Sequence, residues 1–442
     1  MKRKRKNPKR IIKRIKKKIY SNKFIENNRV NEKDFTRKRK LPFTSLVLFM
    51  INIIKQTLQK ELTRFVKMFD EKLNITKSAF SQSRIKLKPE AFIELNDCLV
   101  EEFYTDNIIK KWNDFRLLAI DGSKLILPTH SKELMDKFGT LSSGMIIPQA
   151  QISSCYDILN EIIIDAQLET IQVNEMNQAV CHLKKLSKGD LILLDRGYAA
   201  TWFYYILKNK ELDFVNRVPK RFRKDVEDFR LSNEKDCLIE INVPPQKSRY
   251  GLQRHGLKKE ELQSFKLRVV KVILDTGETE VLITTLLDKE KYPIEIFKDL
   301  YFKRWGIETN YNHLKSNIHI EEFTGLTEIA IRQDFYANLF INNLQSIIAL
   351  DSKEELDKEM KEREKKVQKP HKYEYKVNRN LSLGYMKDRI VKILLSNNPR
   401  YYEELKELFK MNPNPIRNGR KNPRKSQDKN RRKYYMNRKR AV

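Results

Sequence analysis

Between residues 293 and 317, four side chains have the types and spacing to hold a phosphate beside a metal ion. In PIEIFKDLYFKRWGIETNYNHLKSN, Tyr301, Arg304, Glu308 and Lys315 follow one another at steps of three, four and seven. At about 100° per residue these positions fall within roughly 60° of one another on a helix. One face then carries a phenol, a guanidinium, a carboxylate and an ammonium. Leu300, Trp305 and Ile307, with Phe297 nearby, form the opposite, core-facing side. Pro293 suits the first position of such a helix. By spacing alone, the same residues also make an ordinary salt-bridged stripe, worth about 0.2–0.5 kcal/mol per pair.

Two upstream acids complete a possible metal site. Asp121 interrupts the apolar run FRLLAIDGSKLIL, where a lone carboxylate is costly to bury without a partner. Its neighbour Gly122 leaves room for a phosphate backbone. Asp195 follows Leu-Ile-Leu-Leu at the carboxyl end of a short strand, the place where ligands of α/β sheets collect. Two divalent ions about 4 Å apart can activate an attacking oxygen and stabilise a leaving one. Mg²⁺ keeps several of its waters, so three carboxylates are enough to hold the pair. Asp157, Asp165, Asp190, Asp275 and Asp288 lie at turns or strand ends outside this pattern, and the six histidines show no metal-ligand spacing.

Y-x2-R-x3-E-x6-K at Tyr301, Arg304, Glu308 and Lys315, with Asp121-Gly122 and Asp195-Arg196-Gly197-Tyr198 upstream, resembles the signature of the DDE transposases of bacterial insertion sequences. The resemblance covers roughly residues 41–345. It implies Asp121, Asp195 and Glu308 as catalytic metal ligands for Mg²⁺, with Mn²⁺ able to substitute. It also implies that Tyr301, Arg304 and Lys315 contact the phosphates of the cleaved end. Arg196 and Tyr198 of the second motif join them as DNA contacts. Trp305 is helix core by default, although relatives place aromatics near splayed bases. Double-stranded DNA, as transposon ends and target, is the implied partner, and a homodimer the active form. Some relatives stack a flipped base on a Trp in a β insertion. Here Trp112, Trp202 and Trp305 all lie outside that segment, leaving Tyr250, Phe265 or Phe229 to stack. Two other readings compete: a non-catalytic DNA-binding protein derived from a transposase, and a non-transposing nuclease of the same fold.

The elements that must position these residues give a mixed α/β class. Strands are expected at 115–127, 145–156 and 161–171, a helix at 174–186, a strand at 191–194, a helix at 199–208 and a strand at 212–217. The order β-β-β-α-β-α-β is that of an RNase H-like core, here occupying 112–220 and 287–350. A mostly β insertion fills 221–286. An α-helical N-terminal DNA-binding domain spans 41–105. Within it, Thr76 caps a short helix bearing Gln82, Ser83, Arg84 and Lys86, types suited to base-edge or phosphate contact. That helix is either a helix-turn-helix-like reader, with Arg84 on DNA, or an ordinary packing helix. Downstream, separate helices are expected at 329–350, 352–366 and 381–395, within a helical and basic C-terminal region, 351–442.

Charge is concentrated at the ends. Of the formal +32, residues 1–40 hold 19 Lys/Arg against 3 acids (+16), and residues 411–442 hold 12 against 1 (+11). In residues 1–40, Lys and Arg alternate with Ile11, Ile12, Ile15 and Ile19, and the segment reads as a disordered DNA-binding arm able to become helical on DNA. Two basic ends on a nearly balanced body point to a polyanionic partner. Four scattered cysteines without a C-x2-C pair argue against a structural zinc site and a disulfide framework and fit a reducing cytosol. The longest apolar run, 46–54, is too short to span a bilayer, and no secretory signal follows the basic start. The expected location is cytoplasmic, on the nucleoid when bound to DNA.

Overall fold

The computed structural model describes residues 8–417, apart from 38, 53–55, 70–71, 106–108, 143, 246–249, 275–276 and 369–371. The basic tail expected beyond residue 417 lies outside the described residues. The chain forms two units: residues 1–109, 126–149 and 313–442 make one, and residues 110–125 and 150–312 the other.

The first unit is largely helical. Helix α1 (Pro8–Ile19) buries Ile11, Ile12, Ile15 and Ile19, so the disordered arm expected here is instead a packed amphipathic helix. The cause is the i, i+3, i+4 spacing of its isoleucines, which gives a continuous apolar stripe between the cations. Those cations are partly neutralised within the fold, by Arg10 on Glu102 (3.2 Å) and Lys18 on Glu94 (2.7 Å). Helix α2 (Lys77–Arg84) is N-capped by Thr76, whose hydroxyl accepts from Ala79 N at 3.2 Å. It is followed by α3 (Glu90–Tyr104). In place of two helices after residue 328, one 40-residue helix runs Glu328–Val367. The segment 381–395 is conversely split, into Arg379–Met386 and Arg389–Leu395.

The second unit is built on a mixed sheet. Its strands, numbered with the short β2 of the other unit, are β1 (Arg116–Ile126), β2 (Gly139–Ser142), β3 (Met145–Asp157), β4 (Ile162–Thr170), β5 (Asp190–Leu194), β6 (Asp213–Arg217), β7 (Asp236–Ile241), β8 (Phe265–Ile273) and β9 (Thr279–Thr284). Across the sheet the order is β4-β3-β1-β5-β6-β9-β8-β7. Strands β3 and β4 are antiparallel, whereas β1, β5 and β6 run parallel. Helices α4 (Glu175–His182) and α5 (Thr201–Asn209) make the crossovers. The order β1-β3-β4-α4-β5-α5-β6 is the RNase H-like one expected.

The mostly β insertion expected at 221–286 lengthens this sheet. Strand β9 pairs antiparallel with β6, from Val215↔Thr284 to Arg217↔Leu282, and β8 and β7 follow. The pairing satisfies the backbone groups that β6 would otherwise present as an open edge. Residues 117–120 and all of β5 are buried, as parallel strands covered on both faces must be. Leu117, Leu191, Leu193, Val215 and Leu282 pack with Phe297, Leu300 and Tyr301 in one core cluster.

The helix expected over 293–317 is broken in two, α6 (Ile296–Phe302) and α7 (Trp305–Ser316). Between them the bonds tighten to i→i−3, with Arg304 N donating to Tyr301 O at 3.0 Å and Ile307 N to Arg304 O at 3.2 Å. Gly306 lies at this joint, where an added Cβ would sit 2.9 Å from Ile158 Cγ2. Tyr301 and Glu308 therefore belong to different helices, with Arg304 in the turn.

Candidate active site

Parallel pairing of β1 and β5 sets the geometry. Arg116 lies opposite Asp190 and Ala119 opposite Leu193; two residues further, the same register sets Asp121 beside Asp195. Asp121 then lies within β1 and Asp195 directly after the carboxyl end of the neighbouring β5. Asp195 also caps the single 3-10 turn Arg196–Tyr198, its Oδ1 accepting from Gly197 N at 2.7 Å. Asn216 on β6 secures the end of β5 by donating to the carbonyls of Leu194 (3.1 Å) and Asp195 (2.5 Å). Of the rival acids, Asp275 lies outside the described residues, and others have structural partners. Asp190 pairs with Arg116 at 2.6 Å, and Asp157 accepts from Asn160 N at 3.0 Å.

Arg304 brings in the third acid. Its Nη2 donates to Glu308 Oε1 at 2.9 Å, and its Nη1 stands 3.8 Å from Asp121 Oδ2. The guanidinium is buried, flanked by the rings of Tyr301 (5.8 Å) and Trp305 (5.5 Å). Its Nε is buried and lacks a hydrogen-bond partner among the described residues. Asp121 is pushed up to about 7, mainly by burial; Arg304 and the Gly122 N–H (2.9 Å to Oδ1) oppose the shift, and the charges of Asp195 and Glu175 add to it. Tyr301 donates to Leu194 O at 3.3 Å and is raised to about 12 by burial.

Glu175 was not among the residues singled out from sequence. It opens α4, N-capped by Asn174, and accepts from the buried Tyr198 hydroxyl at 2.6 Å. A Cβ on Gly122 would collide with the Glu175 carboxylate and lie 2.6 Å from Gln151 Nε2. The glycine therefore makes room for these two side chains. Tyr311 adds another support, donating to Asp121 O at 2.8 Å. The far end of α4 is tied to the sheet by His182, which meets Asp165 at 2.6 Å and Ser153 at 2.9 Å. This has the make-up of a serine-hydrolase triad, but Ser153 and His182 are fully buried, so no substrate reaches it.

Of the predicted DNA contacts, Arg196 is exposed, Trp305 is 39% exposed and not core, and Lys315 lies two turns beyond Glu308 on α7. Tyr198 is buried and engaged by Glu175, which removes it from the DNA-facing set. Arg84 is removed as well. Its guanidinium is buried and bonded to Gln333, Thr324, Ala330 O and Asp334. Among the described residues, no three His, Cys, Asp or Glu side chains stand ready as placed to hold a metal ion. The donor set is all carboxylate, the hard oxygen type that Mg²⁺ takes, and Arg304 provides the cation that faces it.

The transposase DDE domain family matches residues 112–344, just over half of the chain. This chain belongs to the DDE transposases. Its curated relatives include the transposase InsG for insertion sequence element IS4 of Escherichia coli (strain K12), 22% identical over 299 residues. That match covers 65% of each protein, so the chain spans a little under two thirds of the relative's length. A cryo-EM structure of the piggyBac transposase synaptic complex with hairpin DNA aligns with 92% of this chain and 85% of that one, at 10% identity and a TM-score of 0.43. The family match takes in the sheet, Asp121, Asp195 and Glu308, while the N-terminal helices lie outside it. No described helix is long and apolar enough to cross a membrane.

Proposed function

We propose that this transposase binds the terminal inverted repeats of its own insertion sequence, cleaves there, and joins the 3′-OH ends to target DNA, acting as a homodimer. What carries the reading is Asp121 beside Asp195 on neighbouring parallel strands, with Glu308 linked to Asp121 through Arg304. Asp121, Asp195 and Glu308 would hold the divalent ions, Mg²⁺ or in its place Mn²⁺. Bound there, the ions supply an activated oxygen nucleophile and stabilise the leaving oxygen. Arg304 neutralises the carboxylates before substrate arrives, and its planar fork suits a phosphate oxygen afterwards. Lys315 and Arg196 add point contacts to the backbone of the bound end, and Trp305 offers an exposed ring to a base.

The test is strand cleavage and end binding by Asp121→Ala, Asp195→Ala and Glu308→Ala. Each substitution is expected to reduce cleavage by at least about a thousandfold, about 4 kcal/mol, with end binding nearly unchanged because affinity rests on phosphate contacts elsewhere. Appreciable cleavage by any one variant removes that residue from the metal site. Metal-dependent cutting of all DNA with equal ease favours the plain nuclease.

A further inference from the structure

Beside α2 lies a groove of about 770 Å³ that the catalytic reading leaves unused. Lys33, Arg37, Arg39 and Lys40 line it together with Gln82 and Ser83 of α2. With Lys86, the described residues of the lining include five cations against one carboxylate, Asp34. Asp34 is already engaged, accepting from Asn31 N at 3.0 Å and facing Lys86 at 3.7 Å. The other four cations are exposed. The inner side of α2 is immobilised by buried Phe80 and by the Arg84 network, which includes a 2.9 Å ion pair to Asp334. Helical periodicity then turns Lys77, Ser78, Ser81 and Gln82 outward, and all four are exposed.

A row of cations beside a helix face of hydroxyls and an amide matches what a duplex presents. Cations position a phosphate strand without reading sequence, whereas an amide bonds the edge of adenine in the major groove. B-form DNA admits a helix there; the major groove of A-form RNA is too narrow. We propose that this groove is the surface that reads the element's ends: Lys33, Arg37, Arg39 and Lys40 grip one phosphate strand, and α2 sets Gln82 and Ser83 against base edges. The inference rests on the transposase reading, since a chain acting on its own ends must tell them from other DNA.

The experiment selects bound sequences from a random duplex pool with the full-length protein, then titrates the enriched duplex and a shuffled one across a range of salt. Gln82→Ala is expected to lower the preference for the enriched duplex by about tenfold while leaving the shuffled one unaffected. Arg37→Ala/Arg39→Ala/Lys40→Ala is expected to weaken both and to reduce the slope of log affinity against log salt by about 2–3. All four residues are exposed, and thermal melts matching wild type keep a binding loss from being read as unfolding. If wild type enriches a sequence and both variants bind as it does, the groove is not the reader, although the transposase reading stands. If wild type enriches no sequence, both fall. If Gln82→Ala weakens an RNA duplex as much as DNA, the groove is an RNA site and the proposal is overturned.

Discussion

Arg84 and Arg304 are both buried guanidiniums that face an aspartate, one at the end of α2 and the other in the turn between α6 and α7. Arg84 uses Nε, Nη1 and Nη2, on Gln333 Oε1 (2.9 Å), Thr324 Oγ1 (2.8 Å), Ala330 O (3.1 Å) and Asp334 Oδ1 (2.9 Å). Asp334 is in turn held by Thr324, whose N donates to Oδ2 at 2.6 Å. Arg304 makes one hydrogen bond, to Glu308, and its Nε is buried without a partner among the described residues. A guanidinium with its donors used up in fixed geometry is a post that holds helices together. One with directional donors to spare, beside carboxylates that are only partly buried, is equipped to receive an anion. The same side chain is thus fully used in one unit and keeps donors to spare in the other, where the proposed function gives them a phosphate to meet.

The widest separation between the two is expected in stability. Arg84→Ala leaves Asp334 buried and uncompensated, and should cost about 3–5 kcal/mol. Arg304→Ala should cost about 1 kcal/mol or less, because Asp121 and Glu308 can take up water or a proton. Chemical denaturation of both variants measures this, and equal falls in midpoint would erase the distinction.

Acidity sharpens the same contrast from the site's side. With Asp121 pushed up to about 7, against 3.8 for the free side chain, the folded protein keeps a proton there that the unfolded chain has released. The unfolded state binds fewer protons between these values, so stability tied to this group is full below about pH 4 and lost as pH rises through about 7. The loss is at most about 4 kcal/mol. Asp121→Asn should remove it, and the difference between the two stability–pH curves should grow across that window. Parallel curves would show that Asp121 ionises in the folded protein as it does when free.

Cleavage gives the next effect in size. Arg304→Ala and Lys315→Ala remove phosphate contacts of about 1.5–3 kcal/mol each. End-specific cleavage should therefore fall about ten- to a hundredfold, while Mn²⁺-dependent nicking of unrelated DNA survives. Should both activities fall together, these cations are general substrate clamps, and Arg304 is no more specific than a surface charge.

The smallest effect concerns Glu175. Glu175→Gln keeps an acceptor for Tyr198 but removes a charge that raises Asp121. Cleavage should change by about threefold or less, and the acid limb of its pH profile should move to lower pH. An unmoved limb would make Glu175 a packing partner of Tyr198 and nothing more.

Much of this site could be read along the chain. The alternation and apolar runs located β1, β3, β4, β5 and β6 to within a few residues, because period and composition are local properties of a strand. The three motif segments marked Asp121, Asp195 and Glu308 for the same reason, since each motif is contiguous. Contacts between segments are a different kind of information. The sequence shows Gly122 as small but not that Glu175 fills the space beside it; that follows from how the β4-α4-β5 crossover returns to the sheet. Period likewise assigns Arg84 to a helix face but not to Asp334, 250 residues away. The uniform spacing of Tyr301, Arg304 and Glu308 hid the turn at Arg304, which tight packing of Gly306 on Ile158 accompanies. Local patterns say which side of an element is apolar and which is polar. Which neighbour meets that side is decided by register, crossover and packing, and these exist only in the folded chain.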